Sequence, residues 1–231
     1  MLWQQNFFMN NSKPQKSHSK RSLQIPPQAI SKAPPCSSKP LAQSLQKPLI
    51  KYPENSQKSP LCHPFEPIIF SDSKILILGS FPSVASRQES FYYAHKQNRF
   101  WKILEGLFDS PLHNQPKECK IAFLKSHHIA LFDITQECYI QNSSDSTLKI
   151  LKPNPIHSLI QNTQIQVIFT NGQKASKLYC QFFYHQDSPH FIPLPHIPLP
   201  SSSPANAKCT LSLLLREWSK ILPYLTIKSI N

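Results

Sequence analysis

The chain has 231 residues and a formal net charge of +13, with 25 Lys and Arg against 12 Asp and Glu. The length fits one or two domains, and no apolar run reaches the ~18 residues of a membrane span. The six cysteines form no C-x-x-C pair, which argues against a zinc site, an iron–sulfur cluster or a disulfide framework. We expect no metal and no cofactor, and a cytoplasmic, non-secreted location, nucleoid-associated in a bacterium.

The first 62 residues differ in composition from the rest of the chain. They are rich in Pro, Ser, Gln and Lys, and they carry nine basic residues but a single acid, Glu54. This composition predicts a disordered basic arm at 1–62 and a folded domain at 63–231. The excess positive charge suits a polyanionic partner, above all nucleic acid, although a solvated tail without a role has the same composition.

Apolar runs and helical patterns alternate downstream of the arm. A possible edge strand lies at 67–70, and the other predicted strands lie at 75–78, 129–132, 166–169 and 191–194. The predicted helices lie at 98–108, 118–126, 154–161, 173–183 and 205–222. Near-continuous apolar strands alternating with helices predict an α/β fold, with a short, mostly parallel sheet covered on both faces.

The carboxyl ends of parallel strands share one edge of a sheet, where ligands bind. Four segments should therefore meet in one crevice: the segment from Gly79 to Ser83, Asp133, Asn171 with Gly172, and the loop at 199–206. Gly79 is one of three glycines and directly follows an apolar strand, which indicates either a positive φ or a close approach of another group. The loop places serines between prolines, which suits hydrogen bonding to a phosphodiester backbone.

Each candidate has a structural alternative. Asn98 stands where an N-cap is expected, so capping and chemistry are equally consistent with its position. Asn171 either forms a turn with Gly172 or faces the crevice, and Asp133 is either a cap or a site carboxylate. Ser80 and Ser83 lack the G-x-S-x-G context of a nucleophile, and no Gly-rich phosphate loop is present.

The run LILGSFPSVASRQESFYYAHKQNRFWKIL resembles the uracil-DNA glycosylase superfamily, specifically its deoxyinosine (hypoxanthine) glycosylase branch. IALFDI at 129–134, VIFTNGQKA at 167–175 and LPSSSPANA at 199–207 follow in the order that this branch has. The resemblance covers about 67–222. It departs at 142–146, where Asn-Ser-Ser-Asp-Ser stands in place of a segment like Gly-Ser-Leu-Asp-Ser.

The resemblance implies a three-layer αβα domain that flips a deaminated base out of DNA and hydrolyses its N-glycosidic bond. Hypoxanthine is the expected base, with uracil or xanthine as alternatives. The expected partner is DNA, the protein is expected to be a monomer, and no membrane association is expected. A non-catalytic nucleic-acid-binding protein on the same fold is the second hypothesis.

The resemblance also implies a role for each site residue. Asn98 matches the catalytic position, and Asp133 is the second catalytic candidate. The water- and sugar-facing wall comprises Gly79, Ser80, Phe81, Pro82 and Ser83. Asn171 matches the base-reading position, and Tyr93, Phe81 or Phe91 would stack on the flipped base. The expected DNA-clamping loop comprises Ser201, Ser202, Ser203, Pro204 and Ala205.

Overall fold

The computed structural model of the chain describes residues 59–139 and 149–225. Its strands, in chain order, are β1 Leu61–Cys62, β2 Ile75–Gly79, β3 Ile129–Asp133, β4 Thr135–Tyr139, β5 Lys149–Pro153, β6 Val167–Asn171 and β7 His196–Leu199. Its α-helices are α1 Val84–Gln88, α2 Phe100–Phe108, α3 Lys117–Ser126, α4 Ile156–Ile160, α5 Gln173–Tyr179 and α6 Leu211–Trp218.

A parallel four-stranded sheet in the order β3-β2-β6-β7 forms the centre of the domain. The register places Ile75 opposite both Ile129 and Val167, and Gly79 opposite Asp133. Every residue of β2 and β3 is buried, so both faces of the sheet are covered by other elements. The predicted α/β fold, a three-layer αβα arrangement around a short parallel sheet, is confirmed.

Several predicted elements begin and end close to their expected residues, because their apolar patterns are local and strong. The strands predicted at 75–78, 129–132 and 166–169 correspond to β2, β3 and β6. The first predicted helix begins at Phe100 rather than at 98. The helix predicted at 173–183 is α-helical only to Tyr179 and continues as a π-helix over Cys180–Tyr184. At 67–70, Ile68 forms an isolated bridge with Leu131.

Two predicted elements are wrong in position. The strand predicted at 191–194 is irregular, and the paired strand is β7, which begins at His196. Ile192 is buried without joining the sheet, and β7 tolerates Pro198 because it lies at a sheet edge and needs donors on one side only. The helix predicted at 205–222 begins at Leu211, since the Thr210 side chain caps it by accepting from the Leu213 N–H, and a 3₁₀ helix, Ser219–Tyr224, follows it.

Some observed elements had no clear signal in the sequence. A second, antiparallel sheet has the order β1-β4-β5, and the short helix α1 lies in what the sequence indicated was a loop. Strand β1 belongs to the last residues of the predicted arm, and residues 1–58 of that arm lie outside the described residues, as does the divergent segment 142–146. Within the described ranges, no helix is long and apolar enough to cross a membrane.

Candidate active site

A cleft lies at the carboxyl edge of the parallel sheet, where β2, β3 and β6 end. Nearly all the predicted site residues line it: Gly79, Ser80, Phe81, Pro82, Ser83, Tyr93, Asn98, Asp133, Asn171, Ser201, Ser202 and Ser203. Pro204 and Ala205 do not line the cleft, although they belong to the same loop. Phe91 is also outside the lining, since its ring stacks on Trp101 at 5.6 Å between centroids. The four segments that the strand-end rule brought together thus share the cleft, and Tyr93 and Asn98, which the family resemblance added, line it as well.

Gly79 is required by a close approach and not by an unusual backbone angle. Its partner across the β2–β3 register is Asp133, and a Cβ at position 79 would lie 2.2 Å from Asp133 Oδ1. Gly172 is the glycine with a positive φ, 96°, and a Cβ there would lie 2.8 Å from the Ser201 Cβ. Both glycines thus leave room for cleft-lining residues.

Asp133 lines the cleft and also holds a histidine that the sequence analysis did not single out. His63 Nε2 lies 2.9 Å from Asp133 Oδ2, and His63 Nδ1 lies 2.8 Å from the Phe65 carbonyl oxygen. The two side chains are only 4% and 6% exposed. The backbone of Asp133 is held as well, because Asn154 Nδ2 donates to its carbonyl at 2.8 Å. No periodicity in the sequence marks His63, which immediately follows β1.

Asn98 is both a cap and a cleft residue. Its Oδ1 accepts from the Phe100 N–H at 3.0 Å and from the Ser202 hydroxyl at 2.9 Å. Two donors saturate the two lone pairs of an amide oxygen. Within the part of the chain that the structure describes, Asn98 Nδ2 makes no hydrogen bond, so this NH₂ group remains available as a donor.

Asn171 and Asn98 are joined through one serine. Asn171 Nδ2 donates to Ser202 Oγ and the Ser202 N–H donates to Asn171 Oδ1, each at 2.9 Å. Because Ser202 Oγ then donates to Asn98 Oδ1, a continuous chain of hydrogen bonds runs from the end of β6 to the start of α2. Ser202 is fully buried. Each asparagine keeps part of its amide for a ligand.

Arg99 connects the loop at 199–206, which we call the serine-proline loop, to the start of α2. Its guanidinium donates to four backbone carbonyls, those of Ser202, Ser203, Asn206 and Cys209. Its backbone N–H also donates to the Ser202 carbonyl, at 3.1 Å. The five N–H groups of arginine form a fixed fork, so this single side chain can determine the shape of the loop. Arginine at this position carried no predicted role.

Tyr93 presents a buried hydroxyl to the cleft. Its ring stacks on Phe100 at 3.9 Å between centroids, so one face is already covered, and its φ is 53°. The hydroxyl makes no hydrogen bond to any described residue. Burial, and then the charge of Asp133, raise the pKa of this hydroxyl, against a smaller opposing effect of Asn171. The Tyr93 hydroxyl therefore stays protonated and can donate a hydrogen bond to a ligand.

The serines before α1 have structural partners. Ser83 Oγ accepts from the Ser86 N–H at 3.2 Å and so caps α1. Phe81 is buried, with the Arg87 guanidinium 5.7 Å from its ring centroid.

In the described ranges, no group of three or more His, Cys, Asp or Glu side chains is arranged to hold a metal ion. Asp133 is the one carboxylate among the described residues that line the cleft.

Comparisons with known proteins point to one family. The family model of the uracil DNA glycosylase superfamily matches residues 68–225. A hypoxanthine DNA glycosylase of Methanosarcina barkeri is 27% identical over 114 residues, which are 49% of this chain and 72% of that protein. A hypoxanthine DNA glycosylase of Methanosarcina acetivorans is 29% identical with the same coverage. The fold is similar to the solution NMR structure of a candidate uracil DNA glycosylase from M. acetivorans, with a TM-score of 0.58, 27% identity, and coverage of 70% of this chain and 96% of that one.

Proposed function

We propose that this chain, which belongs to the uracil DNA glycosylase superfamily, removes a deaminated base from DNA by hydrolysing its N-glycosidic bond, with hypoxanthine as the preferred base. The observation that carries the proposal is the hydrogen-bond chain Asn171–Ser202–Asn98, which faces the carboxylate of Asp133 across one cleft. The two Methanosarcina relatives bear the name hypoxanthine DNA glycosylase, which favours hypoxanthine over uracil and xanthine.

The reaction breaks the bond between C1′ of the deoxyribose and a ring nitrogen of the base. The electron pair of this bond leaves with the base, and positive charge of oxocarbenium type develops on the sugar. Catalysis therefore requires a donor for the departing base and a negative group beside the sugar. Extruding the base from the duplex costs a few kcal/mol, and the cost is smallest for a mispaired base.

In our proposal, Asn98 acts as a donor. A neutral amide takes up no proton near pH 7, and the Asn98 oxygen is already occupied by Phe100 N–H and Ser202. The free Nδ2 group is left to hydrogen-bond the departing base or the oxygen of the attacking water. Asp133 supplies the negative charge, and the remaining donor and acceptor of Asn171 would contact the edge of the extruded base.

DNA would lie across the serine-proline loop. Ser203, Pro204 and Ala205 are at least partly exposed, while Ser202 beneath them is buried. Lys177 and Lys208 are exposed and would neutralise phosphates. Hydroxyl and backbone N–H groups of such a loop fix the position of the duplex without reading its sequence, so base selection is assigned to the cleft.

A panel of lesion duplexes tests the proposal. Duplexes containing one inosine, deoxyuridine, deoxyxanthosine or no lesion are incubated with excess protein, and abasic sites are revealed as alkali-labile breaks. We expect cleavage of the inosine duplex first and no cleavage of undamaged DNA. The Asn98→Ala protein, purified in parallel, controls for contaminating glycosylases. Binding to every duplex with no abasic product from any of them would refute the proposal and leave a binding protein on the same fold.

A further inference from the structure

We propose that His63 is a positioning residue for the reaction: it holds Asp133 as a carboxylate, with Oδ1 toward the cleft, and Asp133 takes the proton of the attacking water. This inference rests on the proposed glycosylase activity. It adds a residue that lies upstream of the family-matched range 68–225.

The hydrogen bonds of His63 limit where its protons can be. The Phe65 carbonyl is an acceptor only, so the Nδ1 that lies 2.8 Å from it must carry hydrogen. The other ring nitrogen, Nε2, lies 2.9 Å from Asp133 Oδ2. One proton must occupy this second contact, either on the imidazole or on the carboxyl. In the proposal this proton lies on His63, which leaves Asp133 as a carboxylate that can accept a proton from water.

The pair of His63 and Asp133 lies in apolar surroundings, where a carboxylate needs a hydrogen-bonded partner. Four aromatic rings surround the imidazole at 4.8 to 6.5 Å between centroids, those of Phe65, Phe132, Phe81 and Tyr92. A buried carboxylate without a partner is costly, whereas one that is paired and hydrogen-bonded is tolerated. The Tyr92 pKa is raised by burial first and by the charge of Asp133 second, so the Tyr92 hydroxyl stays neutral beside the pair.

With Oδ2 bonded to His63, the other oxygen of Asp133 lies toward the cleft. A Cβ at Gly79 would collide with Oδ1, which shows that this oxygen sits directly above the end of β2. In the proposed step, the water oxygen bonds to C1′ as the C1′–N bond breaks, and Oδ1 accepts one water proton. That proton then passes to the base anion, so the base leaves neutral and Asp133 is again a carboxylate.

The antiparallel sheet explains how a residue outside the family-matched range reaches the site. Strand β1 pairs with β4, which follows the Asp133 strand after one residue, and Leu61 lies opposite Cys138 in this register. The ladder continues past the strand end, because the His63 N–H donates to the Gln136 carbonyl at 2.8 Å. His63 is therefore held by the backbone beside Asp133, before any side-chain contact is considered.

A double-mutant cycle tests the inference on the full chain. The single-turnover rate on an inosine duplex is measured with saturating protein for the wild type, His63→Phe, Asp133→Asn and the double variant. Phe fits the aromatic surroundings but cannot donate, and we expect each single variant to lose about 10²-fold in rate. Because His63 acts through Asp133, the double variant should match Asp133→Asn within about twofold. If His63→Phe lowered the rate of the Asp133→Asn protein by the same factor as it lowers the wild-type rate, the inference would be overturned.

Two further measurements separate positioning from stability. His63→Gln restores a donor toward Asp133 and should recover part of the rate that His63→Phe loses, with unchanged DNA affinity. The matched control is His128→Asn, since His128 lies 3.1 Å from Asp72 outside the cleft, and its rate should equal the wild-type rate. Proton-coupled ¹⁵N spectra of the imidazoles in the wild type should show hydrogen on both His63 nitrogens, and a bare Nε2 would contradict the inference even if His63→Phe did not fold.

The outcomes distinguish this inference from the function on which it rests. A wild-type protein that releases no base from any lesion would refute the proposed glycosylase. A wild-type protein that is active, together with a His63→Phe variant of equal rate, would refute only the role of His63.

Discussion

The two walls of the cleft differ in how their polar groups are hydrogen-bonded. The amide wall comprises Asn98, Arg99, Asn171 and Ser202, and the side-chain oxygens of its asparagines and serine are hydrogen-bonded within the protein. The carboxylate wall comprises Gly79, Tyr93 and Asp133, and His63, which does not line the cleft, is hydrogen-bonded to Asp133. There, the hydrogen-bonded pair of His63 and Asp133 is buried, and the Tyr93 hydroxyl has no partner among the described residues. The amide wall thus keeps amide N–H groups for a ligand, including the NH₂ group of Asn98, whereas the carboxylate wall keeps a tyrosine hydroxyl and a carboxylate oxygen.

This difference indicates how labour is divided in the proposed reaction. The amide wall is fixed before DNA arrives, because Arg99 and Ser202 tie a loop, a strand end and a helix start together. Donors that are already in place need no reorganisation in the transition state, which is the source of their catalytic value. The carboxylate wall supplies charge and one unsatisfied donor. Changes to the two walls should therefore have different signatures in rate, affinity and stability.

The largest effect is expected at Gly79. In Gly79→Ala, the new Cβ would lie 2.2 Å from Asp133 Oδ1, so the carboxylate must leave its position. We expect the single-turnover rate on an inosine duplex to fall by about 10²–10³-fold, as for removal of a preorganised catalytic group. Gel-shift affinity for the same duplex should change little, because the amide wall and the loop are untouched.

Gly106→Ala is the matched control for that substitution. Its Cβ would meet the Leu215 side chain, with Cδ2 nearest at 2.8 Å, and this side chain is partly exposed and can move. Alanine also favours helix α2 by up to about 1 kcal/mol over glycine. We expect wild-type rate and stability for this variant. A similar loss of rate in both glycine variants would show that the Gly79 effect does not act through Asp133.

Arg99→Lys should loosen the amide wall while keeping its charge. Lysine cannot reproduce the fork that binds four carbonyls of the loop, so those groups lose their partners. We expect about tenfold weaker binding of duplex DNA, corresponding to roughly 1.4 kcal/mol, with an unchanged slope of affinity against salt concentration. Fluorescence anisotropy over a salt series measures both quantities.

Arg216→Lys provides the comparison, because Arg216 is exposed and pairs only with its neighbour Glu217. Its affinity should equal that of the wild type. If Arg99→Lys changed the salt slope instead of the affinity at fixed salt, Arg99 would be a phosphate contact and not the residue that holds the loop.

Tyr93→Phe should affect the carboxylate wall through a single donor. Its hydroxyl has no hydrogen-bond partner among the described residues, so its removal should not lower the melting temperature. We expect a loss of roughly tenfold in rate, since a hydrogen bond to substrate is absent. The control Tyr179→Phe removes another buried, unpartnered hydroxyl, away from the cleft, and should leave the rate unchanged. Equal rates for the two variants would exclude the Tyr93 hydroxyl from the reaction.

The smallest effect on chemistry is expected from deleting residues 1–58. This segment holds the nine basic residues of the predicted arm, and β1 and His63 remain in place. Because each phosphate contact adds to the salt dependence of binding, its loss should make the slope of affinity against salt shallower. The single-turnover rate at saturating protein should stay at the wild-type value. An unchanged slope would show that the arm does not contact DNA.

The sequence predicted the parts of the molecule whose determinants are local. Strands such as β2 are continuous apolar runs, and the rule that parallel strands end at one edge placed Gly79, Asp133 and Asn171 in a shared cleft. The family resemblance, and not this rule, added Asn98 to the site. The position of His63 depends on antiparallel pairing between β1 and β4. This pairing brings His63 to Asp133, 70 residues along the chain, and no local pattern encodes such a register. The role of Arg99 could not be predicted, because its partners are backbone carbonyls, which every residue has and no residue type indicates.

The central claim is that the NH₂ group of Asn98 promotes base release from within the amide wall. Asn98→Asp tests it most directly, because a carboxylate keeps the acceptor for Phe100 N–H and Ser202 but has no NH₂. The single-turnover rate on an inosine duplex, measured with saturating protein, is compared with the melting temperature and the DNA affinity. We predict a loss of about 10²–10³-fold in rate with a melting temperature and an affinity close to those of the wild type. An undiminished rate would contradict the claim.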